Sequence, residues 1–313
     1  MRLLVAHSDA ARRAEWIAAL RAALPAADVE SWEEDSAAAD YAVGWGLAPQ
    51  RLAAQPRLKA YFCAGAGLDD LLASDELPPQ LPLLRVEDAG MGEQMADYCT
   101  AAVLAWSTHR DDYLSQQQRL QWRELMPARR ADWPIGVFGV GALGRRVAEQ
   151  FATLGFPVSG CTRTRQQDDR WRCYATEGGE AELTQFLRGS RVLILAAPLT
   201  PATRGLFDAA RLAELPRGAY VINVARGPLL VESALLALLD SQHLAGAQLD
   251  VFDQEPLPAQ HPYWTHPRIH ITPHTAAFTL IEPAALQIAA RIGLLESGGA
   301  GSLSGVVRRD RGY

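Results

Sequence analysis

The sequence predicts an α/β protein of two Rossmann-like, doubly wound domains with parallel sheets, the second inserted into the first. Three observations predict it. The first hundred residues alternate strand-like and helix-like segments, the same rhythm restarts at Ile135 after a long helical stretch, and a final helix near 282–296 can return to the first domain. The expected division is 1–98 with 281–313 for the first domain, and 99–280 for the inserted second domain.

In the first domain Leu3–Ala6 reads as a strand, and Ala11–Leu24 places Trp16, Ile17, Leu20 and Leu24 at helical spacing. Tyr41–Trp45, Leu58–Cys63 and Pro82–Val86 read as further short strands, separated by turns such as Gly65-Ala66-Gly67 and Pro78-Pro79. A helix over Glu93–Trp122, with Met95, Tyr98, Cys99, Ala102, Val103 and Trp106 on its apolar face, forms the bridge. Beyond it, strands are expected at Ile135–Phe138, 157–161, 192–196, 219–224, 246–251 and 269–272, and the last helix stops at Gly298-Gly299.

Composition narrows the function classes. Hydrophobic residues make up 49% and charged residues 21%, enough for two cores, and a net charge of −6 argues against a nucleic-acid-binding surface. The N-terminal apolar run is too short for a signal peptide, and no stretch has the length of a membrane span, so a cytoplasmic location without membrane partners is expected. Cys63, Cys99, Cys161 and Cys173 show no metal-ligand spacing and read as reduced thiols.

Gly139-Val140-Gly141-Ala142-Leu143-Gly144 follows an apolar strand and opens a helix with Val147, Ala148, Phe151 and Leu154 on one face. That context turns a weak glycine pattern into a dinucleotide fingerprint, with phosphates at the helix N-terminus. About 20 residues further on, where a ribose-binding carboxylate is usual, stand Thr162-Arg163-Thr164-Arg165. Without the acid, a 2′-phosphate meets no repulsion, and Arg163 can bind it and stack on adenine, so NADPH is expected in preference to NADH.

Three later motifs each follow a strand: Val224-Ala225-Arg226-Gly227, then Leu249-Asp250-Val251-Phe252 running to Glu255-Pro256, and Thr272-Pro273-His274. Reducing a 2-keto acid needs a cation for its carboxylate and carbonyl, which the forked guanidinium of Arg226 supplies. It also needs a proton for the carbonyl oxygen, which suits His274, with Glu255 orienting the ring and favouring its charged form. Asp250, with Val224 and Ala225, is placed in the cofactor-binding set, accepting from the nicotinamide carboxamide. Each of these residues alone would read as an ordinary surface or structural group, and it is their succession at strand ends that points to a site. His261, His266 and His270 are read as structural.

Together with Glu87-Asp88-Ala89-Gly90-Met91-Gly92-Glu93-Gln94-Met95 and the C-terminal Arg311-Gly312-Tyr313, these motifs resemble the D-isomer-specific 2-hydroxyacid dehydrogenase family, from Ala39 to Tyr313. The missing ribose acid brings the chain nearest that family's NADPH-linked reductases of glyoxylate and hydroxypyruvate. The resemblance implies that Arg226, Glu255 and His274 are catalytic and that Ala197 and Pro198 sit in the adenosine-side loop. It also implies that Ala64, Gly65 and Ala66 offer backbone to the substrate carboxylate, that Trp45 and Met91 shape the substrate pocket, and that the protein is a homodimer. Two rivals stand beside it: an NAD-linked dehydrogenase of a larger D-2-hydroxy acid, and a non-enzymatic dinucleotide-sensing module.

Overall fold

A computed structural model describes residues 1–72 and 74–312. Tyr313, which closes the Arg-Gly-Tyr signature, therefore lies outside the described residues. In chain order the strands are β1 (Arg2–Ala6), β2 (Asp28–Ser31), β3 (Tyr41–Gly44), β4 (Ala60–Cys63), β5 (Leu83–Arg85), β6 (Ile135–Phe138), β7 (Val158–Thr162), β8 (Arg172–Ala175), β9 (Val192–Leu195), β10 (Ala219–Asn223), β11 (Leu244–Leu249) and β12 (Ile269–Ile271). The helices are α1 (Ala10–Ala23), α2 (Pro49–Ala53), α3 (Asp69–Leu72), α4 (Met91–Ser107), α5 (Arg110–Gln118), α6 (Ala142–Thr153), α7 (Glu180–Arg188), α8 (Ala209–Ala213), α9 (Glu232–Asp240) and α10 (Ile281–Glu296). The chain divides into two compact units, Met1–Met91 with Phe278–Tyr313, and Gly92–Ala277.

The first unit carries a five-stranded sheet in the order β2-β1-β3-β4-β5, with every pairing parallel. The order reverses between β1 and β3, the flavodoxin-like variant of the doubly wound plan. Asp9 starts α1 by accepting hydrogen bonds from the backbone N–H groups of Ala11 and Arg12, which satisfies two donors that a helix end leaves open. Helix α10 holds the segment after β5. Gln287 accepts from the Glu87 N–H at 2.7 Å and donates to the Glu87 carbonyl at 2.8 Å. The buried Arg291 donates to the Arg85 carbonyl, the Glu87 carboxylate and Ser304. These bonds fix a chain that then runs through three consecutive left-handed residues, Asp88, Ala89 and Gly90.

The second unit is a seven-stranded parallel sheet, β12-β11-β10-β9-β6-β7-β8. Strands β6, β9 and β10 are buried throughout, as strands covered on both faces must be. The order reverses between β6 and β9, so the carboxyl ends of these strands open a crevice of the kind in which open α/β sheets bind ligands.

The bridge helix predicted as one piece is two. Helix α4 stops at Ser107 and α5 begins at Arg110, with His109 left-handed between them. The Thr108 hydroxyl donates to the Leu104 carbonyl at 2.6 Å, and Ser107 reaches the same oxygen, so two short polar side chains crowd an acceptor of the helix ladder where it ends. Strands β2 and β8 were not anticipated. Both lie at sheet edges and carry polar or charged residues that break the apolar pattern.

Candidate active site

The glycine loop assigns a separate physical task to each glycine. Gly139 has φ +101°, which L side chains avoid, and a Cβ there would strike the backbone of Ala196 and Ala197. A Cβ on Gly144 would meet the Gly139 carbonyl, so its bareness lets α6 start hard against the loop. Gly141 is different: a Cβ there would have nothing within 4 Å. The folded chain itself has no steric need for glycine at 141. The N-terminus of α6 also has no side-chain cap. An uncapped helix end beside an open glycine fits a pyrophosphate.

The Thr162–Arg165 turn follows β7. Thr162 donates to the Thr164 carbonyl at 2.7 Å, Arg163 pairs with Glu177 at 2.7 Å, and Arg165 pairs with Glu182 at 2.5 Å. Arg163 and Glu177 are both about half exposed, so their pairing is worth only about 0.2–1 kcal/mol and is readily exchanged for a phosphate. After β9, Thr203 donates to the Pro198 carbonyl and accepts from the Thr200 N–H, each at 2.8 Å, fixing the loop that begins with the buried Ala197.

Arg226, Glu255 and His274 come together at the carboxyl ends of β10, β11 and β12. At the end of β10 the buried Asn223 accepts from the Ala225 N–H and donates to the Arg226 carbonyl, folding the backbone that presents Arg226. A Cβ on Gly227 would collide with the backbone of Phe252 and Asp253, so this glycine lets the Glu255 loop lie beside Arg226. Glu255 accepts from the Phe252 N–H at 2.9 Å through one oxygen and meets His274 Nδ1 at 2.7 Å through the other. Burial pushes the Glu255 carboxyl up, but the His274 hydrogen bond, the Phe252 N–H and the Arg226 charge together hold it below the usual carboxylate range. The carboxylate thus stays ionised above that range, and its pairing is lost only as pH falls through the depressed value.

His274 has φ +54°, a conformation that costs a residue with a Cβ about 1–2 kcal/mol. Asp250 supplies the restraint. It is 1% exposed, its carbonyl accepts from the His274 N–H, and its carboxylate accepts from the N–H groups of Thr275 and Ala276 and from the Thr272 hydroxyl. In this structure Asp250 is a clamp on the histidine loop, a role that the sequence reading did not assign. Asn223 and Thr272 were missed in the same way.

Trp45, Ala64, Gly65, Ala66 and Met91 belong to the first unit. Trp45 follows β3, and its indole lies where a Gly65 Cβ would project, so within this unit the bareness of Gly65 serves the indole. Ala64 is tied to the Gly44 carbonyl at 2.9 Å, and the buried Met91 accepts from the Thr279 hydroxyl through Sδ. His261, His266 and His270 each face a carboxylate, of Glu232, Asp240 and Asp111. Among the described residues no group of side chains is arranged to hold a metal ion, and no helix is long and apolar enough to cross a membrane.

A glycine loop at the switch point of a parallel sheet, with an imidazole held by a carboxylate that a guanidinium charge reaches, is the arrangement expected of a nicotinamide-dependent dehydrogenase. The chain belongs to the D-isomer specific 2-hydroxyacid dehydrogenase family, whose NAD binding domain matches residues 100–276. It is similar over its whole length to the D-isomer specific 2-hydroxyacid dehydrogenase from Xanthobacter autotrophicus Py2, solved with NADPH and MES, at 36% identity and a TM-score of 0.93 over 99% of that chain. The NADPH-dependent glyoxylate/hydroxypyruvate reductase of Sinorhizobium meliloti, solved with NADP and sulfate, is 33% identical, with a TM-score of 0.90 over 100% of this chain and 99% of the other. A probable 2-hydroxyacid dehydrogenase from Rhizobium etli CFN 42, solved with NADP, HEPES and L(+)-tartaric acid, is 27% identical over the same shares, with a TM-score of 0.88. The protein is thus an NAD(P)-dependent 2-hydroxyacid dehydrogenase, and the non-enzymatic rival falls away.

Proposed function

We propose that this enzyme works as a reductase of small 2-keto acids, glyoxylate and hydroxypyruvate among them, with NADPH preferred over NADH. The observation that carries the cofactor preference is the Thr162–Arg165 turn, which puts Arg163 and Arg165 after β7 where an acid would repel a 2′-phosphate. The NADPH and NADP bound to the Xanthobacter and Sinorhizobium proteins support it, and the Sinorhizobium protein's activity supports the substrate class. The NAD-linked reading of a larger hydroxy acid has no comparable support at this turn.

The residues proposed to hold the cofactor are Gly139, Gly141, Ala142, Leu143 and Gly144 for the pyrophosphate, and Thr162, Arg163, Thr164 and Arg165 for the 2′-phosphate. Ala197 and Pro198 are proposed for the adenosine side, and Val224, Ala225 and Asp250 for the nicotinamide side. Once bound, the reduced nicotinamide supplies the hydride. Arg226 binds the keto acid's carboxylate and polarises its carbonyl. Glu255 holds His274 through Nδ1, leaving Nε2 as the nitrogen that gives its proton to the carbonyl oxygen, and the product is glycolate or a D-2-hydroxy acid. Trp45, Ala64, Gly65, Ala66 and Met91 are proposed as substrate contacts.

Titrating the protein with each cofactor tests the preference. A charge-assisted contact to the 2′-phosphate contributes about 1.5 kcal/mol or more, so NADPH binds about tenfold or more tightly than NADH, and Arg163→Ala removes most of the difference. Tighter binding of NADH overturns the assignment. Steady-state oxidation of NADPH with glyoxylate or hydroxypyruvate tests the substrate class.

We also propose a cytoplasmic homodimer joined through the nucleotide units. The four free cysteines support the compartment. The dimer is supported by a mixed segment of the second unit in which the large apolar side chains of Leu120, Trp122 and Met126 are 96, 97 and 86% exposed, a concentration that calls for a covering surface. Trp122→Asp is expected to shift the sedimenting species from dimer toward monomer, and an unchanged distribution would place the contact elsewhere.

A further inference from the structure

The hydrogen bonds around Asp250 extend back to helix α4. Gln248 Nε2 donates to the Tyr98 hydroxyl at 2.6 Å, Tyr98 Oη lies 2.5 Å from Thr272 Oγ1, and Thr272 donates to Asp250 Oδ1 at 2.5 Å. Chemistry fixes the order of the protons. An ionised carboxylate only accepts, so the single hydroxyl hydrogen of Thr272 is spent on Asp250. The Tyr98 hydrogen must then go to Thr272, and Tyr98 in turn accepts from the amide. Each hydroxyl donates once and accepts once, and such chains polarise every member in the same direction.

We infer that Tyr98 is a positioning residue for the reaction, acting through Thr272 and Asp250 on the loop that holds His274 in its left-handed conformation. The reasoning is geometric. Asp250 grips the amides of Thr275 and Ala276, which follow His274, while its own carbonyl takes the His274 N–H. Thr272 enters that grip from the strand side, and Tyr98 and Gln248 set the direction of its hydroxyl. The loop after β12 thus binds the Asp250 carboxylate directly, and α4 and β11 reach it only through Thr272. Burial and the Asp250 charge push the Tyr98 phenol up to about 12, against the opposing pull of its two hydrogen bonds, so it remains a neutral donor throughout the working range. Tyr98 touches neither reacting group.

The inference rests on His274 being the proton donor, and the experiment separates the two ideas. Tyr98→Phe and Thr272→Val are each expected to lower kcat for NADPH-dependent glyoxylate reduction about fivefold or more. Their effects combine non-additively, as for members of one chain, and Thr272→Ser restores most of what Thr272→Val loses. Independently of any substrate, amide hydrogen exchange at Thr275 and Ala276 is expected to speed up in Tyr98→Phe by about the same factor, while exchange in β6 and β9 stays as it was. Unchanged exchange at 275–276, or additive losses in the double variant, overturns the positioning role. Faster exchange with unaltered turnover overturns it as a contribution to the reaction. Full turnover in a His274 variant overturns the donor assignment, whatever the exchange shows.

Discussion

Replacing His274 with alanine is expected to reduce kcat for keto-acid reduction by about 10²–10⁴, the usual contribution of a positioned acid. The geometry explains why the loss falls on kcat. His274 is held through Nδ1 by a carboxylate that stays ionised, and its other nitrogen has no assigned structural duty. Cofactor affinity, set by the glycine loop and the Thr162–Arg165 turn, should change little. Alanine at φ +54° carries a conformational cost of its own, so the melting temperature of the variant needs to be measured beside its rate. His274→Asn answers that concern, since asparagine tolerates left-handed backbone better than alanine while offering no acid. Both variants are expected to show the same kinetic defect, and near-normal turnover in either removes His274 from the chemistry.

Arg226→Lys is expected to act on substrate binding. A lysine keeps the charge but loses the planar fork, and with it one of two hydrogen bonds to the substrate's carboxylate. A hydrogen bond to a charged partner contributes about 1.5–3 kcal/mol, which corresponds to a fall in kcat/KM of about ten- to a hundredfold, mostly as a higher KM. Because lysine keeps a positive charge at this position, Glu255, whose carboxyl the Arg226 charge helps to hold low, is expected to stay ionised in the variant. Initial rates over a range of glyoxylate or hydroxypyruvate concentrations decide the matter. An unchanged KM would mean that Arg226 does not hold the carboxylate.

The sequence carried the parallel sheets and the Arg, Glu and His motifs placed at their ends because each leaves a local trace. Strands buried on both faces read as apolar runs, and the glycine loop and the Arg, Glu and His motifs each follow one directly. What it concealed depends on partners distant in the chain. Tyr98 falls on the apolar face of its helix by periodicity, and nothing local shows that its hydroxyl meets Thr272, 174 residues away. Asn223 lies inside the strand predicted at 219–224 with no local mark of a role, whereas its side chain shapes the Arg226 turn. Asp250 was recognised as important, but its grip on Thr272, Thr275 and Ala276 needed the loop's path in space. The break at Thr108-His109 was missed because no proline or glycine stands between Ser107 and Trp122 to mark it, and the polar residues beyond it are themselves helical. Strands β2 and β8 were missed because edge position permits polar sequences.

The left-handed turn at His274 bears on transplanting this chemistry. A designer who copied only the histidine and its glutamate into another sheet would find the backbone relaxing toward a right-handed shape and carrying the imidazole away from its carboxylate. The portable unit is larger: it includes an aspartate seated beneath the loop, two amides pointing down onto it, and the threonine beside them. The histidine–glutamate pair is thus a tenant of a backbone shape that other residues enforce, and it can be moved only together with them.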